Sequence, residues 1–350
     1  MQKNNNTLVR KTKRIQNNMN KELKIGLVAR SDVGGLGRLS YDFWKNIYEI
    51  NKELIVLSGR MDNPMKYPKG VICSMGRPTL EEIDEFLKDI NMVLIMETPY
   101  NWNVVSEAKK RGIKVVIIPN YEWSEPTPMV QPDLYLCPSK LDYDLFKKPK
   151  KYLPIPVNRD DFPFKLRTKA ETFVFNNGGG GTGGRNGFEE LRQAIPLVKS
   201  DVNFIVRSQL IVEPIEDNRV KFELTNKKPE ELYAEGDVFL FPHKFDGLSL
   251  PIQEALSSGM PVISTNFYPH NTYMPKEWFF EPKKWQFGKV CPECRVIEMA
   301  ELDPKKIAEK IDEWAHKDIT KDSQKANEIA ESISWKSLHD EYIKVFKEIL

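Results

Sequence analysis

Two carboxylates, Asp246 and Glu254, stand eight positions apart in a stretch that predicts a loop leading into a helix. Ser249 is suited to cap that helix, and Gly259, which is followed closely by a proline, is suited to end it. Backbone N–H groups at a helix start attract anions such as phosphate, and carboxylates accept hydrogen bonds from hydroxyl groups. A ligand that carries both groups, such as a nucleotide sugar, suits this chemistry. The alternative is a capped surface helix whose acids are only solvated.

A second candidate site is the glycine-rich loop of residues 176–187, which joins a predicted strand to an amphipathic helix. Glycines let the backbone approach a diphosphate closely, and the N–H groups and dipole of the following helix favour its charge. Arg185 and Asn186 precede that helix, and Arg207, at the carboxyl end of the next predicted strand, is a candidate second cation. The loop does not end in the Gly-Lys-Ser/Thr of a Walker A motif. A flexible linker is the alternative for the loop, and a salt-bridged side chain is the alternative for Arg207.

A shorter glycine cluster, residues 34–37, follows the first predicted strand and precedes a helix. Alone it is a weak signal that is compatible with a dinucleotide site. A nicotinamide-binding loop should read Gly-x-Gly-x-x-Gly, with an acid closing the second strand. This chain reads Gly-Gly-x-Gly, and its second predicted strand continues into Ser58-Gly59-Arg60. The cluster therefore disfavours a nicotinamide site.

The 350-residue chain is long enough for two α/β domains, and 52 Lys and Arg against 50 Asp and Glu leave a net charge of +2. This near balance gives no global field that would favour nucleic acid or a membrane as partner. The basic, polar tail of residues 1–23 predicts a solvated extension more than a binding arm. Since no apolar run has the length of a secretion signal or a membrane span, we expect a cytoplasmic protein without a transmembrane anchor.

Apolar runs alternate with helix-like stretches from residue 24 onward, which predicts an α/β fold of parallel sheets covered by helices. Closely spaced prolines and a polar stretch before residue 170 indicate a connection between two domains. The predicted parts are the tail 1–23, a first domain 24–158, a second domain 159–330 and a C-terminal helix 331–350. The predicted strands are Ile25–Ala29, Leu54–Ser58, Val71–Ser74, Met92–Met96, Val115–Ile118, Leu134–Cys137, Thr172–Phe175, Phe204–Val206, Val220–Leu224, Val238–Phe241 and Val262–Ser264. The predicted first-domain helices are Leu39–Glu49, Leu80–Asp89 and Val104–Arg111.

The first glycine cluster, the Gly-rich Arg loop, the strand after it and the acidic segment follow one another in an order that resembles one family. From about residue 24 onward the chain resembles the GT-B retaining glycosyltransferases that use nucleotide sugars, the family 4-like or group 1 glycosyltransferases. In that family two Glu stand at the eight-residue spacing and Arg-Lys-Gly stands at the helix start. Here Asp246 replaces the first Glu, Ser249 falls inside the motif core and Asn186 replaces the Lys. Many relatives also carry a first-domain His, for which Asn120 or Glu122 is the substitute here.

The resemblance implies two Rossmann-like domains that face each other across a cleft, with the last helix returning to the first domain. It implies transfer of a hexose-like sugar from a nucleoside-diphosphate sugar to an acceptor hydroxyl, with retention of anomeric configuration. Basic side chains would stabilise the departing diphosphate, while acids would orient sugar and ribose hydroxyls. The catalytic candidates are Arg185, Arg207 and Asp246. The donor-binding candidates are Gly35, Gly37, Asn186, Leu224, Ser249, Leu250 and Glu254.

We expect neither a metal nor an organic cofactor. Cys291 and Cys294 have the spacing of half a zinc site, but no second Cys or His pair stands nearby, so free thiols are the prediction. Asp142 and Asp144 match the metal-binding Asp-x-Asp of the other major glycosyltransferase fold, although acids at a helix start explain them better. The nucleotide-sugar donor is therefore the predicted co-substrate.

The acceptor stays open among a small molecule, a glycan and a hydroxymethylated base in DNA. The basic tail and the aromatic residues around Trp102 and Trp123 favour a polyanion, because duplex DNA requires phosphate contacts and a way to hold an extruded base. The Gly-Gly-Arg-Asn-Gly form of the loop is also similar to that of phage-type glycosyltransferases. Two other functions fit the same residues: a non-catalytic nucleotide-sugar-binding protein, and a GT-B-like epimerase that isomerises the nucleotide sugar.

Overall fold

The computed structural model describes residues 22–32, 34–57, 72–179, 184–225, 227–289 and 295–350. The chain divides into two compact units: unit 1 is Met1–Pro154 with Leu338–Leu350, and unit 2 is Ile155–Ser337. Most of the basic tail, part of the Gly-rich loop, and the predicted free thiols of Cys291 and Cys294 lie outside the described residues.

The described elements are those of an α/β protein. The strands are β1 (Ile25–Arg30), β2 (Ile50–Leu57), β3 (Ile72–Met75), β4 (Met92–Met96), β5 (Lys114–Ile118), β6 (Leu134–Cys137), β7 (Lys150–Tyr152), β8 (Thr172–Gly178), β9 (Asn203–Ser208), β10 (Val220–Leu224), β11 (Val238–Phe241), β12 (Val262–Thr265), β13 (Phe279–Phe280), β14 (Lys284–Gly288) and β15 (Ile297–Glu301). The α-helices are α1 (Gly35–Asn46), α2 (Leu80–Phe86), α3 (Asn103–Lys110), α4 (Lys140–Leu145), α5 (Phe188–Ala194), α6 (Pro229–Leu232), α7 (Leu250–Ser257), α8 (Pro304–Trp314), α9 (Thr320–Ser332) and α10 (Trp335–Ile349).

Each unit is built on one parallel sheet. In unit 1 the strand order is β3-β2-β1-β4-β5-β6-β7, and in unit 2 it is β10-β9-β8-β11-β12-β13. Strands of such sheets read as continuous apolar runs because both faces are covered by helices. All five residues of β4 and all four of β11 are accordingly buried. The antiparallel pair β14-β15 forms a separate two-stranded sheet.

The end of the chain packs within unit 1. Tyr342 of α10 is fully buried and meets the ring of Phe43 in α1 edge-on, with ring centroids 5.3 Å apart. Its hydroxyl donates a hydrogen bond to the carbonyl oxygen of Pro154 (3.0 Å). Lys151 adds an ion pair to Glu341 (Nζ–Oε1 2.6 Å). Aromatic packing and these polar contacts therefore hold the last helix against unit 1.

Both sheets reverse their strand order beside their first strand, between β1 and β4 in unit 1 and between β8 and β11 in unit 2. Ligands of open α/β sheets bind at the carboxyl ends of the strands at such a switch point. In unit 2 the segment that follows β8 carries Arg185, and the segment that follows β11 carries Asp246. The topology therefore brings the two strongest sequence motifs to the ligand-binding edge of one sheet.

The predicted fold class, α/β with two Rossmann-like domains, is confirmed. The predicted bounds of β4, β6, β10 and β11 agree with the structure, because β4, β6 and β11 are compact apolar runs and β10 alternates apolar and charged residues. Strands β7 and β13 and the β14-β15 pair were not predicted, since two or three residues show no period and Lys284–Gly288 is mostly exposed. Among the described helices, none combines the length and apolar character that a membrane crossing requires.

Candidate functional site

Gly187 joins the two loops at the switch point of unit 2. Its φ of +70° lies in the left-handed region, and a Cβ built on it would come within 2.0 Å of the carbonyl oxygen of Pro242. Next to this contact, the backbone N–H of Lys244 donates to the carbonyl oxygen of Arg185 (2.7 Å). Glycine is required here because the backbone is left-handed and no space exists for a side chain. The Arg185 loop and the acidic segment are thus in direct backbone contact.

Asn186 fastens the Arg185 loop to the end of β8. Its Nδ2 donates to the side-chain oxygen (2.5 Å) and the carbonyl oxygen (3.1 Å) of Asn177, and its Oδ1 accepts from the N–H of Phe188 (3.4 Å). Asn177 in turn donates to Ser208 Oγ on the neighbouring strand (2.9 Å). The side chain of Asn186 is buried, and its hydrogen bonds hold the Arg185 loop against the end of β8. Donor binding by Asn186 stays a prediction.

Asp246 organises the turn that leads into α7. Its Oδ1 accepts hydrogen bonds from the N–H groups of Leu248 (3.2 Å) and Ser249 (3.1 Å), and its Oδ2 lies 3.2 Å from Nδ1 of His243. Burial alone would raise the pKa of Asp246, but the positive charge of Arg185 and the neighbouring His243 outweigh it and hold that pKa well below its usual range. Asp246 is therefore an ionised, almost fully buried carboxylate that is electrostatically paired with Arg185.

Two histidines that the sequence analysis missed surround this carboxylate. His243 stacks on Phe241 with ring centroids 3.5 Å apart, and His270 meets Phe267 edge-on at 4.5 Å. Burial lowers the pKa of His243 despite its acidic neighbour, and burial lowers the pKa of His270 to about 4. The sequence could have indicated them, because two of the four histidines of the chain flank the acidic segment. Both imidazoles are neutral near pH 7, which leaves Asp246 and Arg185 as the charged pair.

Ser249 precedes α7, as predicted, but the predicted cap hydrogen bond is wrong. The residue adopts φ +51° and ψ +59°, a left-handed conformation that glycine adopts more readily, and its side chain makes no cap hydrogen bond. Asp246 holds the Ser249 N–H instead. The Ser249 hydroxyl is buried without a hydrogen-bond partner among the described residues. Leu250, the first residue of α7, is half-buried. A buried hydroxyl at a helix start suits a phosphate or sugar oxygen.

Glu254 lies on α7 and accepts a hydrogen bond at Oε2 from the hydroxyl of Tyr233 (2.8 Å). Glu254 is half-buried, whereas Tyr233 is 2% exposed. Burial and the nearby Glu254 charge raise the pKa of Tyr233 well above its ordinary value, so the hydroxyl stays a donor. The hydrogen bond from Tyr233 therefore helps to orient the Glu254 carboxylate.

Arg207 does not join the Arg185 loop, and its contacts favour the salt-bridged alternative. Its side chain is 2% exposed, with Nε 2.8 Å from Glu223 Oε2 and Nη2 3.2 Å from Glu235 Oε2. Nη1 donates to the carbonyl oxygen of Leu232 (2.7 Å). Each guanidinium nitrogen thus has an internal partner. Leu224, the predicted neighbour of the nucleobase, ends β10 and is 56% exposed.

The first glycine cluster is shaped by packing inside unit 1. A Cβ on Gly37 would lie 2.1 Å from the backbone oxygen of Asp32, so the glycine allows α1 to approach the end of β1 closely. Gly35 is exposed in the first turn of α1. Arg38 forms an ion pair with Asp42 one turn later (Nε–Oδ1 3.2 Å). The close approach that Gly37 permits is internal, and a donor contact by Gly35 stays a prediction.

The region that was expected to replace the family His contains buried acids. Glu122 is 3% exposed and its N–H donates to Asn120 Oδ1 (3.2 Å). Asp142 lies in the first turn of α4, with Oδ2 2.5 Å from the hydroxyl of Ser139, and burial raises its pKa to about 7. Asp142 is therefore a helix-start acid, as the sequence analysis favoured. Across the described part of the chain, no three His, Cys, Asp or Glu side chains converge as metal ligands would.

The two parallel sheets and the loops at their switch points define a GT-B fold, and solved glycosyltransferases share it. A glycosyltransferase from Rickettsia africae superimposes with a TM-score of 0.66 at 12% identity, covering 94% of this chain and 99% of that chain. Sucrose-phosphate synthase from Thermosynechococcus elongatus gives 0.63 at 12% identity, with 93% and 99% covered. HepE of Anabaena in complex with UDP and glucose gives 0.60 at 12% identity, with 93% and 97% covered.

Residues 180–282 match the sequence model of the family described as glycosyl transferases group 1. The matched segment runs from the Gly-rich loop through Arg185, Asp246 and Glu254, and it lies within unit 2. No curated protein matches the full sequence significantly. The chain therefore has the GT-B fold, and its second unit contains the segment that matches the group 1 glycosyl transferases.

Proposed function

We propose that this glycosyltransferase moves a hexose-like sugar from a nucleoside-diphosphate sugar to an acceptor hydroxyl, with retention of anomeric configuration. The observation that carries the proposal is the junction between the loops of Arg185 and Asp246 at the switch point of unit 2, where the Lys244 N–H donates to the Arg185 carbonyl oxygen and Gly187 packs against Pro242. The neighbour HepE is described with UDP and glucose bound, and a starch synthase from Arabidopsis thaliana with ADP and acarbose bound. These descriptions support a nucleoside-diphosphate donor for this chain.

The proposed chemistry centres on the leaving diphosphate. The bond between the anomeric carbon and the diphosphate oxygen breaks with its electron pair moving to the diphosphate, and the acceptor oxygen bonds to that carbon as it loses its proton. Arg185 stabilises the charge that develops on the diphosphate, since a preorganised cation in a partly buried site acts more strongly than in water. Asp246 keeps Arg185 and the turn before α7 in place. The Ser249 hydroxyl binds a donor oxygen, and Glu254 accepts from the ribose hydroxyls.

We propose that Arg185 supplies the positive charge at the phosphates and that catalysis needs no metal. The test is donor turnover in EDTA, compared with turnover in added Mg²⁺ or Mn²⁺. Equal rates support the proposal. A rate that collapses in EDTA and returns with one metal refutes it.

The decisive experiment is a donor-hydrolysis screen. The purified protein is incubated with UDP-, GDP-, ADP- and dTDP-sugars, and free nucleoside diphosphate is measured for the wild type and for Arg185→Ala and Glu254→Ala. Arg192→Ala is the matched control, because Arg192 lies on α5 and pairs with the exposed Glu189 (Nη2–Oε1 2.6 Å). Release from one donor that both site variants abolish and the control retains supports the transferase.

Two results would favour the rival functions. Donor-dependent thermal stabilisation without release of nucleoside diphosphate indicates a non-catalytic binder. Isomerisation of the donor without acceptor indicates an epimerase. If release is observed, acceptors are tested as small hydroxyl compounds, glycans and hydroxymethylated DNA; we propose the DNA first, on the basis of the basic tail of residues 1–23.

A further inference from the structure

Tyr233 contacts the predicted ribose-binding carboxylate from inside unit 2. Its hydroxyl donates to Oε2 of Glu254 at 2.8 Å, an ordinary length for an O–H···O hydrogen bond. Tyr233 follows the short helix α6, and Glu254 stands on α7, 21 positions further along the chain. The contact therefore depends on the tertiary fold, which brings the two residues together.

The Tyr233 ring is immobilised by aromatic packing. Phe162 and Phe239 meet it edge-on, with ring centroids 5.8 Å and 5.4 Å away and interplanar angles of 73° and 74°. Edge-to-face pairs of this kind are specific in geometry as well as favourable in energy. The hydroxyl is thus presented to Glu254 from one fixed position.

Two buried arginines hold the main chain at the same place. Arg167 Nη2 donates to the carbonyl oxygen of Tyr233 (2.7 Å), and Arg207 Nη1 donates to the carbonyl oxygen of Leu232 (2.7 Å). Both arginines are 2% exposed. All three guanidinium nitrogens of Arg207 have partners, whereas Nη2 of Arg167 donates to the Tyr233 carbonyl oxygen and its Nε and Nη1 have no partner among the described residues. These contacts fix the backbone of residues 232 and 233. The predicted catalytic residue Arg207 acts here on the backbone beside Tyr233.

A carboxylate has two oxygens with about four acceptor sites. The hydrogen bond from Tyr233 therefore orients the carboxylate without using all of its acceptor sites. A Glu side chain that no hydrogen bond orients loses rotational freedom when a ligand binds, and this entropy cost weakens binding. We propose that Tyr233 is a positioning residue, which holds Glu254 in the orientation that accepts hydrogen bonds from the ribose of the nucleoside diphosphate. This inference rests on the proposed function, which assigns Glu254 to the donor ribose.

The test separates ribose recognition from general binding. Affinities of UDP, GDP and ADP, each beside its 2′,3′-dideoxy counterpart, are measured calorimetrically for the wild type, Tyr233→Phe and Glu254→Gln. Tyr233→Phe should weaken the bound ribonucleotide about tenfold, the effect of losing one hydrogen bond to a charged acceptor, and leave its dideoxy counterpart unchanged. Glu254→Gln should show the same selectivity, and the double variant should lose less than the sum of the two.

Tyr342→Phe is the matched control, because it removes the buried hydroxyl that donates to Pro154 in unit 1. It should bind both nucleotides of a pair as the wild type does. Equal weakening of the ribose and dideoxy forms in Tyr233→Phe, or no weakening, overturns the positioning role while leaving the proposed function intact. Failure of the wild type to bind any of the nucleotides overturns the proposed function and this inference together.

Discussion

Replacing Gly187 by Ala should disrupt the junction between the two loops of the site. The substitution puts a Cβ on a residue at φ +70°, which costs about 1–2 kcal/mol for an L-residue. It also places that Cβ 2.0 Å from the carbonyl oxygen of Pro242, whereas ordinary Cβ contacts begin near 3.0 Å. Backbone on one side must therefore move by about 1 Å, and such overpacking costs about 1–3 kcal/mol. The expected loss in the free energy of unfolding is about 2–5 kcal/mol.

Gly178→Ala isolates the steric part of this loss. Gly178 also lies in unit 2 with a positive φ of +54°, but nothing lies within 4 Å of a Cβ built on it. The free energy of unfolding of Gly178→Ala should therefore fall only by the conformational cost of about 1–2 kcal/mol. Urea unfolding of the wild type and both variants, followed by circular dichroism, measures the difference. Because Pro242 stands four positions before Asp246, Gly187→Ala should also weaken donor binding. Equal stability losses in the two variants would refute the contact between Gly187 and Pro242.

Three further outcomes follow from the buried charges of unit 2. Asp246→Asn should retain the turn before α7, because an amide oxygen still accepts from the two loop N–H groups, whereas Asp246→Ala should lose about 1–3 kcal/mol more in thermal unfolding. Arg207→Ala should destabilise by about 1–3 kcal/mol, because the Leu232 carbonyl oxygen loses its donor while Lys221 and Lys227 still pair with Glu223. Wild-type stability with lost donor turnover would instead restore the catalytic role of Arg207. Burial lowers the pKa of His270 to about 4, so the unfolded chain takes up a proton at pH 5 that the folded chain does not. The contribution of His270 to stability should fall by about 2 kcal/mol from pH 7 to pH 5, measured in urea titrations as the difference between the wild type and His270→Gln, since other groups such as Asp142 titrate in both proteins. Equal pH dependence of the two proteins would contradict the burial argument.

Local sequence patterns were sufficient for the elements whose environment is uniform along the chain. β4 and β11 are apolar throughout because parallel strands are covered on both faces, and their limits were predicted from that run alone. The start of α7 was predicted beside Ser249 from the proline and the apolar face that follow. Strand β14 was missed although Lys284–Gly288 alternates polar and apolar residues, the pattern of a strand with one apolar face.

The partners of charged side chains depended on contacts that sequence spacing does not encode. Arg207 ends β9 in a position that suits a ligand, yet Glu235, 28 positions further on, lies beside it. His270 stands 24 positions after Asp246 and still contributes to its electrostatic surroundings. The expected cap at Ser249 is absent, and Asp246 instead accepts from the N–H groups of Leu248 and Ser249 in the turn before the helix.

The sequence by itself determined the α/β class, the order of the strands along the chain and the positions of the glycine loop and the acidic segment. These follow from apolar periodicity and turn chemistry, which act within a few residues. Tertiary structure decided that Arg185 and Asp246 form the charged pair, that Arg207 is bound internally and that Tyr233 holds Glu254. The physical reason is that burial and hydrogen-bond partners are properties of the packed interior, where side chains distant in sequence compete for the same donors and acceptors.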